Sequence, residues 1–336
     1  MIKPFIYKHH SIHKAQSFVN YVFMEVILKA PKIAEPVFSS DLVIEKYKDL
    51  IDGINDDYIK NPLIEIYAIC KNLNHKSLRI LRKAIINNNR IRELCKGEIE
   101  PVLYPEIEAI NTDLAKNLKD FCDNLYDQSI KKAPFYNTYK TIDNYYNFLV
   151  GKSLTCKACG RPTVLTKFNS YRSGLDHYLP RKHYPFSAIN FRNLIPICDN
   201  CNESYKNQKD PLIIVRNKGK ANEQRIKTKA YFPFSRFTLD ITINLNFTVN
   251  YDANITPEQV EISFDCIDYQ EEVNNWDRLF GIEENYKAEI CSDEMYSVYE
   301  EYLMAQARGY DYLDLLNHQD KFADKRFLKI PFLNAL

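Results

Sequence analysis

The sequence has no hydrophobic segment of the length that crosses a membrane. The apolar stretch at residues 18–28 is interrupted by Asn20 and Glu25, whereas a spanning helix needs about 20 predominantly apolar residues. Nothing after Met1 resembles a secretory signal peptide, because no small-residue cleavage site follows it. We therefore expect a cytoplasmic protein with no membrane partner.

The chain also lacks a disulfide framework, internal repeats and low-complexity tracts. Five of its nine cysteines are scattered and odd in number, which is typical of reduced thiols in the cytoplasm. These five are Cys70, Cys95, Cys122, Cys266 and Cys291. With 336 residues, of which 45% are hydrophobic and 26% charged, the chain can bury a sizeable core in two or three units.

A marked net charge is absent, but the value of +1 conceals two opposite segments. Residues 151–230 carry 16 lysines and arginines against five acidic residues, whereas residues 231–336 carry eight against 20. A concentrated positive segment favours a polyanionic partner such as DNA, because phosphate contacts supply most sequence-independent affinity. The acidic segment is either solvated, a site for a basic partner, or a cover for the basic segment.

Two Cys-x-x-C pairs are the clearest motif in the chain. Cys156 and Cys159 form the first pair, Cys198 and Cys201 form the second, and 38 residues lie between the pairs. This spacing places four thiolates around one tetrahedral Zn²⁺ and predicts a structural zinc site. The metal would close the insert between the pairs.

The insert and the residues after it predict two short strands followed by a helix. Residues 175–179 and 193–197 have the composition of strands, and Asp199 to Lys206 begins a helix. The first strand carries Asp176 and His177. Imidazole can accept a proton at neutral pH, so this pair is a candidate hydrolytic centre.

This arrangement, with the segments DHYLP, NLIPIC and CN, resembles the HNH endonuclease superfamily over about a sixth of the chain. The resemblance implies a ββα-metal core in which His177 is the general base that activates water. It further implies that Asp176 and Asn202 hold a catalytic Mg²⁺ or Mn²⁺. Asn193 would hold the active-site loop through backbone hydrogen bonds.

The resemblance has two departures and leaves the substrate contacts open. Asn202 stands where the family often has His, which is a common variant. Lys206 follows Asn202 by four residues where three is usual, so its role is open. Candidate phosphate ligands are Arg181, Lys182, Lys206 and Lys209. Solvent exposure is the alternative for Arg181 and Lys182, and we expect His183 on a loop surface.

A basic run from Arg216 to Lys229 continues beyond the predicted helix. Gly219 within it suggests a mobile, solvated loop. Contact with nucleic acid is the alternative interpretation of the same residues.

Together with the central hairpin, the two flanking regions predict an α+β protein. Residues 1–145 are predicted to be helical and to act as a scaffold or a partner-docking region, with residues 87–89 as a loop. The predicted helices there span 12–28, 41–51, 62–72, 76–86 and 106–125. Residues 146–230 form the predicted nuclease module.

Residues 231–336 form the third predicted region, an acidic hairpin followed by helices. Alternation at 239–249 and 260–264 predicts an antiparallel strand pair. Helices are expected at 271–280, 284–290 and 293–307, with Trp276, Leu279 and Phe280 as core anchors. The apolar end, residues 327–333, should dock on the body.

From the resemblance we expect a metal-dependent endonuclease that hydrolyses DNA phosphodiesters in bacterial restriction or phage defence. Its partner could be an ATPase or another defence subunit, and an oligomer is also compatible with the sequence. Two other classes compete with this hypothesis: a zinc-dependent nucleic-acid-binding module without catalysis, and a partner-regulated assembly subunit.

Overall fold

The computed structural model describes residues 3–318 and 320–336. About 51% of the chain is helical, and the described strands form three two-stranded antiparallel sheets. This agrees with the predicted mixture of helices and small hairpins. No helix in the described residues is both long and apolar enough to cross a membrane.

Residues 11–150 consist mainly of helices, in agreement with the helical region predicted at 1–145. A continuous helical segment from Ser11 to Lys32 passes from 3-10 geometry through α1 and a π-helical turn back to 3-10 geometry. The α-helices here are α1 Ala15–Tyr21, α2 Glu45–Asp52, α3 Lys60–Lys71, α4 His75–Asn88, α5 Ile91–Cys95, α6 Tyr104–Glu108, α7 Thr112–Asp127, α8 Ala133–Tyr139 and α9 Ile142–Val150.

The single helix predicted at 106–125 is two helices in the structure, α6 and α7. Asn111 separates them, because its side chain accepts a hydrogen bond from the Leu114 amide at 2.8 Å and caps α7. The predicted apolar face is nevertheless buried on α7, at Leu114, Leu118, Phe121 and Leu125.

The prediction of a loop at residues 87–89 is wrong for Asn87 and Asn88, because α4 continues to Asn88. The Asn88 side chain is fully buried and bonds the Val102 backbone at both ends, donating at 2.7 Å and accepting at 3.0 Å. A buried amide with both groups satisfied is compatible with a helix terminus.

The central region contains two hairpins. Strands β1 (Leu175–His177) and β2 (Leu194–Pro196) pair antiparallel, and a π-helix, Asn200–Lys206, follows them. The basic run expected as a loop forms the second hairpin, β3 (Ile213–Arg216) and β4 (Gln224–Lys227). Its turn contains Asn217 and Gly219 at φ of 52° and 76°, and both residue types tolerate this left-handed conformation.

The C-terminal region follows the prediction closely. Strands β5 (Thr242–Phe247) and β6 (Val260–Asp265) pair antiparallel. Trp276, Leu279 and Phe280 are buried, and the chain end packs on the body through Phe327, Leu328, Phe332 and Leu333. The helices are α10 Gln270–Phe280, α11 Ile282–Ile290, α12 Asp293–Ala307, α13 Tyr312–Asn317 and α14 Arg326–Asn334.

Buried apolar side chains form a continuous core from Phe5 to Leu333. Side chains of the C-terminal helices contact the first cysteine pair directly. Trp276 Nε1 donates to the Ala158 carbonyl at 2.7 Å, and the Tyr286 hydroxyl donates to the Cys159 carbonyl at 2.9 Å. The cysteine cluster is therefore packed into the body of the protein.

Candidate metal centre and catalytic pocket

The four motif cysteines come together in one buried cluster. The Sγ atoms of Cys156, Cys159, Cys198 and Cys201 lie within 4.8 Å of one another, and the Cys159–Cys198 pair is 4.0 Å apart. A tetrahedral zinc ion with Zn–S bonds of about 2.3 Å requires sulfur atoms about 3.8 Å apart. The cluster therefore fits a structural zinc site, as the sequence predicts.

Backbone turns around the cysteines orient the sulfur atoms. The Gly160 amide donates to the Cys156 carbonyl at 2.8 Å, with Gly160 at φ of 79°. A side chain at Gly160 would collide with the Phe327 ring. The Cys198 amide donates to the Cys156 Sγ at 3.4 Å. Hydrogen bonds among the four thiols lower the pKa of Cys198 and Cys159, whereas burial raises that of Cys156 and hydrogen bonds raise that of Cys201; a bound cation would favour the thiolate form of all four.

The hairpin next to this cluster and the following π-helix bring three predicted site residues to one pocket. Asp176 and His177 on β1 and Asn202 on the π-helix line a cavity of about 480 Å³. Arg181 and Lys182, on the loop that follows β1, line the same cavity. The predicted base and the two predicted metal ligands therefore line one cavity of the size that admits a ligand.

His177 has one ring nitrogen engaged and one unengaged among the described residues. Its Nε2 lies 2.9 Å from the Ala188 carbonyl oxygen. Because a carbonyl can only accept, the neutral ring carries its proton on Nε2 and keeps a lone pair on Nδ1. Burial lowers the pKa of His177 to about 3, so the ring is neutral at pH 7. The Tyr126 ring packs against it with 4.4 Å between centroids.

Asp176 is held by Lys206 through a buried ion pair. Lys206 Nζ lies 2.9 Å from Asp176 Oδ1 and also donates to the His177 carbonyl at 2.9 Å. The second carboxylate oxygen, Asp176 Oδ2, is buried without a hydrogen-bond partner in the described residues. Burial raises the pKa of Asp176, while Lys206 acts in the opposite direction. An orphaned carboxylate oxygen at a pocket is a group that a divalent cation can satisfy.

Asn202 reaches the pocket because the residue before β1 is glycine. A Cβ atom at Gly174 would lie 2.6 Å from Asn202 Nδ2. Among the described residues the Asn202 side chain makes no hydrogen bond, so its amide oxygen is available as a second ligand. Asp176 Oδ2 and the Asn202 amide are thus chemically suited to a hard cation, with water and substrate completing the coordination.

Asn193 is fully buried and clamps the loop that leaves β1. Its side chain accepts from the Leu179 amide at 2.7 Å and donates to the Leu179 carbonyl at 2.9 Å. The Asn193 carbonyl also accepts from the Tyr178 amide at 2.8 Å. These bonds fix the backbone directly after His177 and keep Asn193 away from the pocket.

Helix α7 forms a wall of the pocket that sequence reasoning missed. Lys119 and Asp123 line the cavity, and Arg181 NH1 lies 2.9 Å from Asp127 and 3.5 Å from Asp123. The Arg181 guanidinium also lies 5.2 Å from the Tyr126 ring centroid. In the sequence, the only signal for this wall was the spacing of charged residues by four along the polar face of α7. Such a face is usually solvated, so it did not indicate a pocket.

The other predicted substrate ligands fall into different environments. Lys182 is exposed at the pocket, whereas the Lys206 side chain is fully buried and cannot reach a substrate in this conformation. Lys209 donates to the Arg278 carbonyl at 3.0 Å and lines a different cavity. His183 is half-buried, and burial lowers its pKa. Of the four predicted substrate ligands, only Arg181 and Lys182 therefore line the pocket.

Positive charge extends from the pocket to the second hairpin. Lys182, Arg225 and Lys218 all act on His183 to lower its pKa, so these cations share one neighbourhood. Arg216, Lys218 and Lys220 form no ion pair within the described residues. The basic hairpin is thus an exposed, positively charged surface.

Comparison of the chain with protein-family models, with curated proteins and with solved structures found no match.

Proposed function

We propose that this protein is a metal-dependent nuclease of the HNH type that hydrolyses DNA phosphodiester bonds. The observation that carries the proposal is the meeting of His177, Asp176 and Asn202 at one pocket beside a cysteine-stapled hairpin. Two short strands and a helical turn supply these residues in the order that the HNH resemblance implies.

His177 acts as the general base in this proposal. The lone pair on Nδ1 takes a proton from water while Nε2 remains bonded to the Ala188 carbonyl, which fixes the ring orientation. A ring with a pKa near 3 is a weak base. The negative charge of a phosphodiester bound in the pocket would raise that pKa and the proposed cation would lower it, so the strength of the base is set by both charges together.

Asp176 and Asn202 hold the catalytic Mg²⁺ or Mn²⁺ in the proposal. When bound, such a cation neutralises charge that develops on the leaving oxygen. Lys206 holds the Asp176 carboxylate through Oδ1, which leaves Oδ2 without a partner in the described residues. Its role is therefore to position a ligand, and this accounts for its burial.

DNA is the proposed substrate because of the charge around the pocket. Lys182 and the basic hairpin present cations that can follow a phosphate backbone. Arg181 is neutralised by Asp123 and Asp127 and would have to leave them to bind phosphate. By resemblance, we extend the proposal to bacterial restriction or phage defence, with a partner ATPase or another defence subunit as the regulator.

The test is nicking of supercoiled plasmid DNA with Mg²⁺ present. The parent protein is compared with His177→Ala and with His75→Ala, a control at an exposed histidine on α4. We expect His177→Ala to lose at least about a hundredfold in rate, the usual contribution of a general base. The control should match the parent, and a chelator should abolish nicking.

A competing class, zinc-dependent nucleic-acid binding without catalysis, predicts a different result. No nicking by any of the three proteins, with DNA binding retained, would replace the nuclease proposal with that class. Equal nicking by the parent and His177→Ala would contradict the assignment of the base.

A further inference from the structure

A second cavity, of about 430 Å³, lies beside the loop that joins β1 to β2. Arg192 lines it, and Arg192 directly precedes the clamping residue Asn193. The carbonyl of Tyr231, another lining residue, accepts a hydrogen bond from Tyr178 at 2.9 Å. The cavity shares no lining residue with the pocket of His177, so it is a separate site.

Aromatic rings form much of its wall and remain accessible. Phe237 lines the cavity and is 47% exposed, whereas the Tyr7 ring, which also lines it, is stacked on His13 with 5.2 Å between centroids. Phe237 and Tyr269 pack with 5.4 Å between ring centroids. Exposed aromatic rings that border a cavity are suited to stacking with a flat ligand, and nucleobases stack on them without a sequence requirement.

Cations surround the same rings. Arg92, Arg192 and Arg236 line the cavity, and among the described residues no carboxylate lies within 4.0 Å of any of them. The Arg192 guanidinium lies 4.4 Å from the Tyr7 ring centroid and donates to the Tyr7 hydroxyl at 2.8 Å. Three guanidinium groups without acidic partners form a site for a phosphate, which arginine binds with paired N–H donors.

One acidic residue, Glu272, also lines the cavity and has no ion pair within the described residues. A carboxylate disfavours a second phosphate beside it but accepts hydrogen bonds from hydroxyl or amino groups. A suitable ligand would therefore have an anionic end for the arginines, a flat ring for the aromatic side chains and hydrogen-bond donors for Glu272.

We propose that this cavity binds a nucleotide, with the base stacked on Phe237 and the phosphate held by Arg92, Arg192 and Arg236. Its volume lies in the range of small-molecule sites. The nucleotide is either free in solution or the end of a single strand, since both present the same chemistry. This inference is independent of whether the protein cleaves DNA.

Calorimetric titration of the full chain tests the proposal, in the His177→Ala background so that no strand is degraded. The probes are AMP, inorganic phosphate, phenyl phosphate and a short 5′-phosphorylated oligonucleotide. The variants are Arg236→Gln and Phe237→Ala, which alter exposed side chains. Arg308→Gln and Phe168→Ala change exposed residues of the same types outside the cavity and serve as matched controls.

We expect saturable binding of AMP that weakens by on the order of tenfold in each cavity variant and by less than about twofold in each control. Competition between the oligonucleotide and AMP would identify a strand end as the ligand; without competition the ligand is a free nucleotide. Absence of AMP binding, equal binding of either simple phosphate, or unchanged AMP affinity in both cavity variants would overturn the proposal.

Discussion

Lys206 and Asp176 form an ion pair that is almost completely shielded from solvent, with exposed fractions of 0% and 4% for their side chains. Forming such a pair has a large desolvation cost, because two charges leave water. Removing one partner is strongly destabilising, because the other charge is left buried and unpaired. The His177 carbonyl supplies a second acceptor for the Lys206 ammonium. This lysine thus links the strand of the candidate site to the π-helix.

Replacing Lys206 with Met should reduce the free energy of unfolding by about 3–5 kcal/mol, because Asp176 is left as an unpaired buried carboxylate. Adding Asp176→Asn should restore part of the loss, since the uncompensated charge is then gone. Urea denaturation measures both effects. Lys209→Met, at an exposed lysine, is the control and should change stability by less than about 0.5 kcal/mol. Additive losses in the double variant would mean that the pair is not coupled.

Because of His177 and His13, we expect the protein to lose stability as the pH is lowered from 6.5 to 5. Burial lowers their pKa values to about 3 and about 4, so both stay neutral in the fold while the unfolded chain binds protons near pH 6.5. The unfolded state therefore binds more protons than the folded state. As the pH is lowered to 5, the free energy of unfolding decreases by at most about 2 kcal/mol per histidine.

Urea midpoints at pH 7, 6 and 5 measure this effect. His177→Gln and His13→Gln should each reduce the pH dependence, while His75→Gln, at an exposed position, should leave it unchanged. A parent protein whose stability does not change over this range would contradict the burial of both rings.

At the scale of elements, the cysteine pairs staple the hairpin β1–β2 and the π-helix together. Metal binding to such a site supplies folding free energy directly. Cys198→Ser should therefore lose the bound zinc and destabilise the protein by several kcal/mol, while Cys291→Ser should keep it. Metal content by mass spectrometry and thermal unfolding are the measurements. Full zinc content in Cys198→Ser, or none in the parent, would contradict the site.

The basic hairpin β3–β4 carries a separate prediction about DNA affinity. Arg216→Gln, Lys218→Gln and Lys220→Gln together should reduce the slope of log affinity against log salt by roughly 0.9 for each phosphate contact removed. Matched changes at Arg79, Arg82 and Lys83 on α4, which are also exposed, form the control. Fluorescence anisotropy over a salt series measures the slope. Equal slopes in both triple variants would show that the hairpin does not contact DNA.

These elements also show what the sequence can reveal. The cysteine spacing, the strand pair β5–β6 and helices α10 to α12 follow local patterns, and the structure confirms them. The mixture of helices and small antiparallel hairpins, and the presence of Asp176, His177 and Asn202 at one pocket, were also reachable from the sequence. The break at Asn111 and the extension of α4 to Asn88 depend on particular side-chain hydrogen bonds, which periodicity does not encode.

At the scale of the whole molecule, the parts that sequence reasoning missed are contacts between distant segments. Helix α7, from the N-terminal region, contributes Asp123 to the pocket and packs Tyr126 against the His177 ring. Trp276 and Tyr286 bond the first cysteine turn from the C-terminal region. Such packing depends on tertiary structure, and a polar face or a core aromatic residue in a sequence does not identify its partner.

These contacts predict that residues 146–230 do not fold stably alone, even with zinc. Without α7, α10 and α11, the carbonyls of Ala158 and Cys159 lose their donors and the His177 ring loses its Tyr126 neighbour. The exposed apolar surface of the cysteine turn would add to the cost. We expect the fragment to show poorly dispersed amide resonances with zinc present.

The fragment 146–336 is the control for this prediction, because it restores the donors from Trp276 and Tyr286 while α7 stays absent. It should bind zinc and show dispersed amide resonances for the cysteine turn, with broadened signals around His177, where Tyr126 is missing. A fully dispersed spectrum from residues 146–230 alone would mean that the module is self-sufficient. The contacts from both flanks would then act only to shape the pocket, and Tyr126→Ala in the full chain should change its chemistry without changing stability.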